Sequence, residues 1–149
     1  MAFAENRKAY FNFEILEKIT AGIQLLGFEV KAVKGGQMSL DGSYAIIRGG
    51  EAFLINSNIT PLQPNNIPEN YNPRRNRKLL LTKKEISKLA VIESKKGLTI
   101  VPLSVYNVGH KLKLELGVAS GKKNKDKRES IKKRESDREI RRTLANNAD

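Results

Sequence analysis

The sequence predicts a mainly β protein, a small closed barrel of five to six antiparallel strands with inserted helices, followed by a basic C-terminal tail that is disordered when free. Three observations lead there. Short segments of alternating apolar and polar residues recur through the first 120 positions, glycine-rich turn dipeptides separate several of them, and from Gly121 onward large aliphatic residues almost disappear. The expected organisation is a barrel over 1–120 and a tail over 121–149.

Taken in order, Tyr10 to Ile15 alternates, and Ile19, Ala21, Ile23 and Leu25 extend the period of two, which predicts one long or bent strand with a bulge or bend at Gly22. Glu29 to Lys34 reads as a short helix stopped by Gly35-Gly36. Asp41-Gly42 and Gly49-Gly50 bound Ser43–Arg48 and Glu51–Ile55, and a two-residue Gly-Gly link predicts a hairpin. From Asn58 to Pro73 the prolines at 61, 64, 68 and 73 forbid helix or central strand, so a surface loop is expected. Thr82-Lys-Lys-Glu85 has capping-box spacing and opens a helix of about three turns, closed by Gly97. Leu98–Tyr106 and Leu112–Val118 are two further strands joined through Asn107–His110. Many short strands with one inserted helix favour a small OB-like barrel over a sandwich.

Composition narrows the function. The 149 residues carry a formal net charge of +12 and a pI near 10.0, the footprint of a protein that neutralises phosphates. No segment approaches 18 consecutive apolar residues, the tail lacks a broad apolar face, and no apolar signal region follows the N-terminal charges, so no membrane partner is expected. Cysteine is absent, which excludes disulfides and thiolate metal sites and suits a reducing cytoplasm.

Catalysis has little to stand on. The single histidine, His110, falls in a predicted turn and is expected at the surface; phosphate-loop, nucleophile-elbow and metal-carboxylate spacings are missing, so neither an enzyme nor a cofactor is expected. A metal-dependent OB-fold nuclease remains an alternative that would need convergent carboxylates. Pro73-Arg-Arg-Asn-Arg-Lys78 offers cations just before the capped helix, suited to bridging phosphates of a folded RNA or else merely solvated. Tyr10, Phe11, Tyr44, Tyr71 and Tyr106 could stack bases, with Phe11 and Phe13 expected in the core; with 6 % aromatics, recognition of a shaped, backbone-rich RNA fits better than serial base stacking.

The tail is a latent helix. Ordering a backbone costs about 1 to 2 kcal/mol per residue, while Ile131, Ile140 and Leu144 would return only about 1.5 to 3 kcal/mol each. It nonetheless has helical tendency, with no Gly or Pro between Glu129 and Ala145 and favourable pairs at Glu129/Lys133 and Asp137/Arg141. An anionic partner that orders it, or a solvated role in solubility, are the two options.

Gly27-Phe-Glu-Val-Lys31, Gly50-Glu-Ala-Phe-Leu54, Asn58-Ile-Thr-Pro61, Pro73-Arg-Arg-Asn-Arg-Lys-Leu-Leu-Leu81, Val101-Pro-Leu103, Gly121-Lys-Lys123 and Asp126-Lys-Arg128 follow, in order and spacing, the pattern of the SsrA-binding protein family, also called small protein B. The chain resembles that family over essentially its whole length. The resemblance implies an OB-like barrel that binds the tRNA-like domain of transfer-messenger RNA (tmRNA) and enters bacterial ribosomes stalled on messages without a stop codon, with elongation factor Tu and alanyl-tmRNA as associated partners. The tail would fold on small-subunit ribosomal RNA in the empty mRNA channel.

Carried onto this chain, the resemblance together with the cationic segments assigns Asn6, Lys8, Lys31, Arg75, Arg77, Lys78 and Leu80 to RNA binding, with Leu80 packing the surface rather than touching RNA. It assigns Lys122, Lys123, Lys125, Asp126, Lys127, Arg128, Ile131, Lys132 and Arg138 to the ribosome-engaging tail. Two departures stand out. Thr20 replaces an acidic residue before Ala-Gly, and Lys125 stands where members often place a His or Tyr ring. A ribosomal or ribosome-assembly protein anchored by its tail is the alternative within RNA binders.

Overall fold

The computed structural model describes residues 2–62 and 67–121. Nine strands and three helices follow one another along these residues: β1 (Ala2–Glu5), α1 (Arg7–Asn12), β2 (Phe13–Ile23), α2 (Gly27–Lys34), β3 (Met38–Ser39), β4 (Tyr44–Arg48), β5 (Glu51–Ile55), β6 (Asn58–Ile59), β7 (Arg77–Leu80), α3 (Lys83–Ser94), β8 (Leu98–Val108) and β9 (Lys111–Gly121). Seven strands form one antiparallel sheet in the order β1-β8-β4-β5-β7-β2-β9, and β8 also pairs with β9, so the ladder from β8 through β4 to β9 returns to its start. β8 manages this by sharing one edge, with Ile100 paired to Ala45 of β4 and Ser104 to Glu5 of β1. This mainly β circuit is compatible with the OB-like barrel expected.

The local signals explain most elements. Gly49 and Gly50 both have positive φ, 59° and 75°, the geometry that lets a two-residue turn match the twist of β4 and β5. At α3 the Thr82 hydroxyl accepts from the Glu85 N–H at 3.2 Å and the Glu85 carboxylate accepts from the Thr82 N–H at 3.0 Å, so two orphan donors are satisfied reciprocally. Leu89 then sinks from α3 into the barrel core with Leu54, Leu79, Ile100, Leu114 and Leu116. Each such side chain contributes about 1.5 to 3 kcal/mol.

Three expectations are corrected. The alternation at Tyr10–Asn12 is not strand: the Asn6 side chain accepts from the Ala9 N–H at 3.2 Å and starts α1, and β2 begins at Phe13. The β2 bulge lies between Ile15 and Glu17 rather than at Gly22. Asn58 and Ile59, expected in the loop, form β6, a two-residue ribbon with β3 outside the main sheet, tolerated because the prolines begin only at Pro61.

α1 covers part of the outside of the sheet. Ala9 packs there with Val101, Leu103 and Ala119, joined by Phe13 and Ile15, as a second, smaller apolar cluster. Phe13 packs against this cluster, but both it and Phe11 are only half-buried rather than in the core as expected.

Candidate nucleic-acid interface

The outer sheet face is therefore divided: among the described residues α1 covers one part, and beyond it the outward-facing positions run from exposed (Thr20, Leu80) to half-buried (Ser104, Tyr106, Lys113, Glu115), with Gly22 buried beneath Leu80. Their register can be followed across β2, β9, β8 and β1. Thr20 pairs with Glu115, which pairs with Ser104, which pairs with Glu5; the next row on the same face is Gly22, Lys113, Tyr106 and Ala2. Leu80 of β7 pairs with Gly22 and closes this row.

Each member brings a different property. Leu80 is 54 % exposed. A Cβ at position 22 would lie 3.1 Å from that of Leu80, so the glycine is what lets the leucine lie across the strand. Tyr106 is half-buried, with its hydroxyl 3.4 Å from the Thr20 hydroxyl. Lys111 and Lys113 have no acidic partner among the described residues, whereas Lys18 meets Glu115 at 3.7 Å. A cleft of about 340 Å³ runs beside the row, bounded by Leu25, Leu80, His110 and Lys113. Cation, hydroxyls, an aromatic edge and an exposed aliphatic on a flat surface can hold a sugar-phosphate backbone and pack against a base or ribose. His110 sits exposed at the β8–β9 turn, as expected.

The arginines before this face do something else. Arg77 and Lys78 are not loop residues but the first two of β7, and the period of two sends Arg77 and Leu79 inward and Lys78 and Leu80 outward. Arg77, expected to meet RNA, is fully buried. Its Nη2 donates to Glu29 Oε2 at 2.7 Å and its Nη1 to the Ser57 carbonyl at 3.1 Å. Arg75 donates to both carboxylate oxygens of Glu29, and the Tyr71 hydroxyl lies 2.9 Å from Oε2. The Leu26 N–H donates to Oε1 at 2.9 Å, and the Tyr71 ring stands edge-on to Phe28. Burial alone would raise the Glu29 carboxyl, but the donors Arg75, Leu26, Arg77 and Tyr71 outweigh it and hold the pKa at about 2. Glu29 and its partner Arg77 thus tie four elements together: α2, the Ser57 turn, the 71–76 segment and β7.

Asn6 is a second correction. It is 4 % exposed, and its amide donates to the Pro102 carbonyl at 2.9 Å while its oxygen caps α1, so its polar atoms are engaged within the fold. Arg75 keeps 31 % side-chain exposure despite its pairing with Glu29. Lys78 is outward but meets Glu51 at 3.2 Å, Lys8 meets Asp41 at 3.6 Å, and Lys31 is exposed on α2. The structure therefore brings Leu80 and Lys78 to one face and leaves Lys8 and Lys31 elsewhere. Gly22, Tyr106 and Lys113 complete that face; only strand register, not composition, reveals them. The tail residues Lys122, Lys123, Lys125, Asp126, Lys127, Arg128, Ile131, Lys132 and Arg138 lie outside the described residues. No group of three or more His, Cys, Asp or Glu able to hold a metal occurs among the described residues.

The profile of the SmpB protein family matches residues 3–146 of this chain. The chain belongs to the SmpB family. It is 51 % identical over 144 residues to the SsrA-binding protein of Magnetococcus marinus, covering 97 % of this chain and 95 % of that one. The SsrA-binding protein of Enterococcus faecalis is 46 % identical over 144 residues, covering 97 % and 93 % respectively. Among solved structures, a chain from "tmRNA-SmpB: a journey to the center of the bacterial ribosome" superposes with a TM-score of 0.68 at 42 % identity, covering 85 % of this chain and 92 % of its own.

Proposed function

We propose that this chain binds the tRNA-like domain of tmRNA and brings it to stalled bacterial ribosomes, where trans-translation releases the ribosome and tags the incomplete product. The observation that carries this is SmpB family membership across residues 3–146, together with similarity to the SmpB chain of a tmRNA-SmpB structure. The sheet face that carries Leu80, Tyr106 and Lys113, with Gly22 buried beneath Leu80, is the surface that meets the RNA. Glu29, Arg75 and Arg77 keep β7 in register.

Binding here requires no chemistry on the RNA; the chain acts as a non-enzymatic adaptor in the cytoplasm. No described helix is long and apolar enough to cross a membrane. Alanyl-tmRNA arrives with elongation factor Tu, and the basic tail, with Lys122, Lys123 and Asp126-Lys-Arg128, enters the vacant mRNA channel and becomes helical on ribosomal RNA. With Lys125 where family members often place a ring, stacking at that point is replaced by charge or omitted.

A gel shift at physiological salt tests the proposal, comparing tmRNA with bulk tRNA. A clear preference for tmRNA is expected; equal affinity for both would refute it. Co-sedimentation adds a second test, with enrichment on stalled ribosomes expected and uniform occupancy of all small subunits contradicting it.

A further inference from the structure

Exposed cations continue beyond Leu80 into α3. The N-cap Thr82 follows two residues later, so Lys84 lies at most about 14 Å from Leu80 along the chain, and α3 then runs to the start of β8, where the Leu98 N–H donates to the Lys95 carbonyl at 3.3 Å. Along this path Lys84, Lys88 and Val91, which share one face of α3, are exposed, as is Lys95 at its C-cap. Ile86, Leu89 and Ile92 point the other way, Leu89 and Ile92 into the core.

The acidic residues of α3 do not neutralise this ridge. Glu85 closes the capping box, and Glu93 turns to β4, accepting from the Ile47 N–H at 2.8 Å and pairing with Arg48 at 2.6 Å. Lys88 is paired with Glu17, while Lys84 and Lys95 have no acidic partner among the described residues. Lys83 and Lys84 also occupy the first turn, where the helix dipole and free N–H groups disfavour a cation and favour an anion. A face selected only for solubility has no need to place its lysines there.

We propose that this α3 ridge extends the RNA contact, gripping the phosphodiester backbone of the RNA seated on the sheet face of Leu80, Tyr106 and Lys113, through Lys84 at the near end and Lys95 at the far end. The identity of that RNA as the tRNA-like domain rests on the function proposed above. Anionic lipid suits the ridge poorly, because Val91 is the one large aliphatic exposed on it and an interfacial helix needs a broad apolar side.

The test uses the full chain and a transcript of the tRNA-like domain, with affinity measured from low to high potassium chloride. Lys84→Glu combined with Lys95→Glu should weaken binding at least tenfold and flatten the salt slope by up to about 0.7 to 0.9 per lost contact. The double Arg variant at the same positions should bind like wild type, and thermal melts should show all three proteins folded. Unchanged affinity and slope would overturn the proposal, as would a loss confined to ribosomes or to phosphatidylglycerol vesicles. A wild-type chain that fails to bind the transcript would instead refute the function on which the partner's identity rests, and this extension with it.

Discussion

Arg77 and Glu29 form a fully buried ion pair, Nη2 to Oε2 at 2.7 Å, linking β7 to α2. Desolvating both charges is costly, and the pair is tolerable because Ser57, Pro73, Tyr71 and Arg75 satisfy the remaining donors and acceptors. Removing one partner strands the other. Arg77→Ala should therefore destabilise the protein by about 3 to 5 kcal/mol, read as a fall in the denaturation midpoint. A change below about 1 kcal/mol would show that the pair is not structural.

The same carboxylate sets an acid response. With its pKa lowered from 4.5 to about 2, Glu29 contributes stability that is fully present above about pH 4.5 and is lost as pH falls toward 2. The amount at stake is a few kcal/mol, at about 1.4 kcal/mol per pH unit. The stability difference between wild type and Glu29→Gln, measured by denaturant titration, should shrink between pH 5 and pH 3. A constant difference would contradict the assigned shift.

Gly22→Val separates surface shape from stability. Its new Cβ would press on the Cβ of Leu80 at 3.1 Å and displace the leucine, while valine suits a strand. RNA affinity should drop about tenfold with the melting temperature shifted by only a few degrees. Affinity equal to wild type would remove the Gly22–Leu80 contact from the interface.

Much of this arrangement is legible in the sequence, and the failures have physical causes. The Gly49-Gly50 hairpin and the Thr82–Glu85 box are local, set by φ preference and by a reciprocal hydrogen bond, so they can be read residue by residue. Arg77 is different. A run of cations suggests a solvated loop, and only the pairing of Lys78 with Phe53 and Leu79 with Ala52 shows that alternation buries every second residue. Glu29 in Gly27-Phe-Glu-Val-Lys31 gives no sign of its partners more than 40 positions away. Asn6 was legible as important but not in its role, because a capping Asn and a ligand-facing Asn look alike until its neighbours at Leu40 and Pro102 are known.

Barrel and tail should divide the work. A chain ending at residue 120 should keep its tmRNA affinity within about twofold and lose alanine tagging of stalled products, because the proposed function gives the tail ribosome engagement rather than RNA capture. Tagging assays in reconstituted translation would check this, and a large affinity loss would refute the division.

The central claim is that the sheet face of Leu80, Tyr106 and Lys113, and not the arginine run, meets the RNA. Lys113→Glu combined with Tyr106→Ala should weaken binding to the tRNA-like domain by tenfold or more at physiological salt while leaving the fold intact, because both side chains sit on the open row beside Gly22 and Leu80. In the same titration Arg77→Lys, measured well below its lowered melting temperature, should bind within a few fold of wild type. Wild-type affinity in the Lys113/Tyr106 variant, with binding lost in Arg77→Lys while folded, would contradict the account.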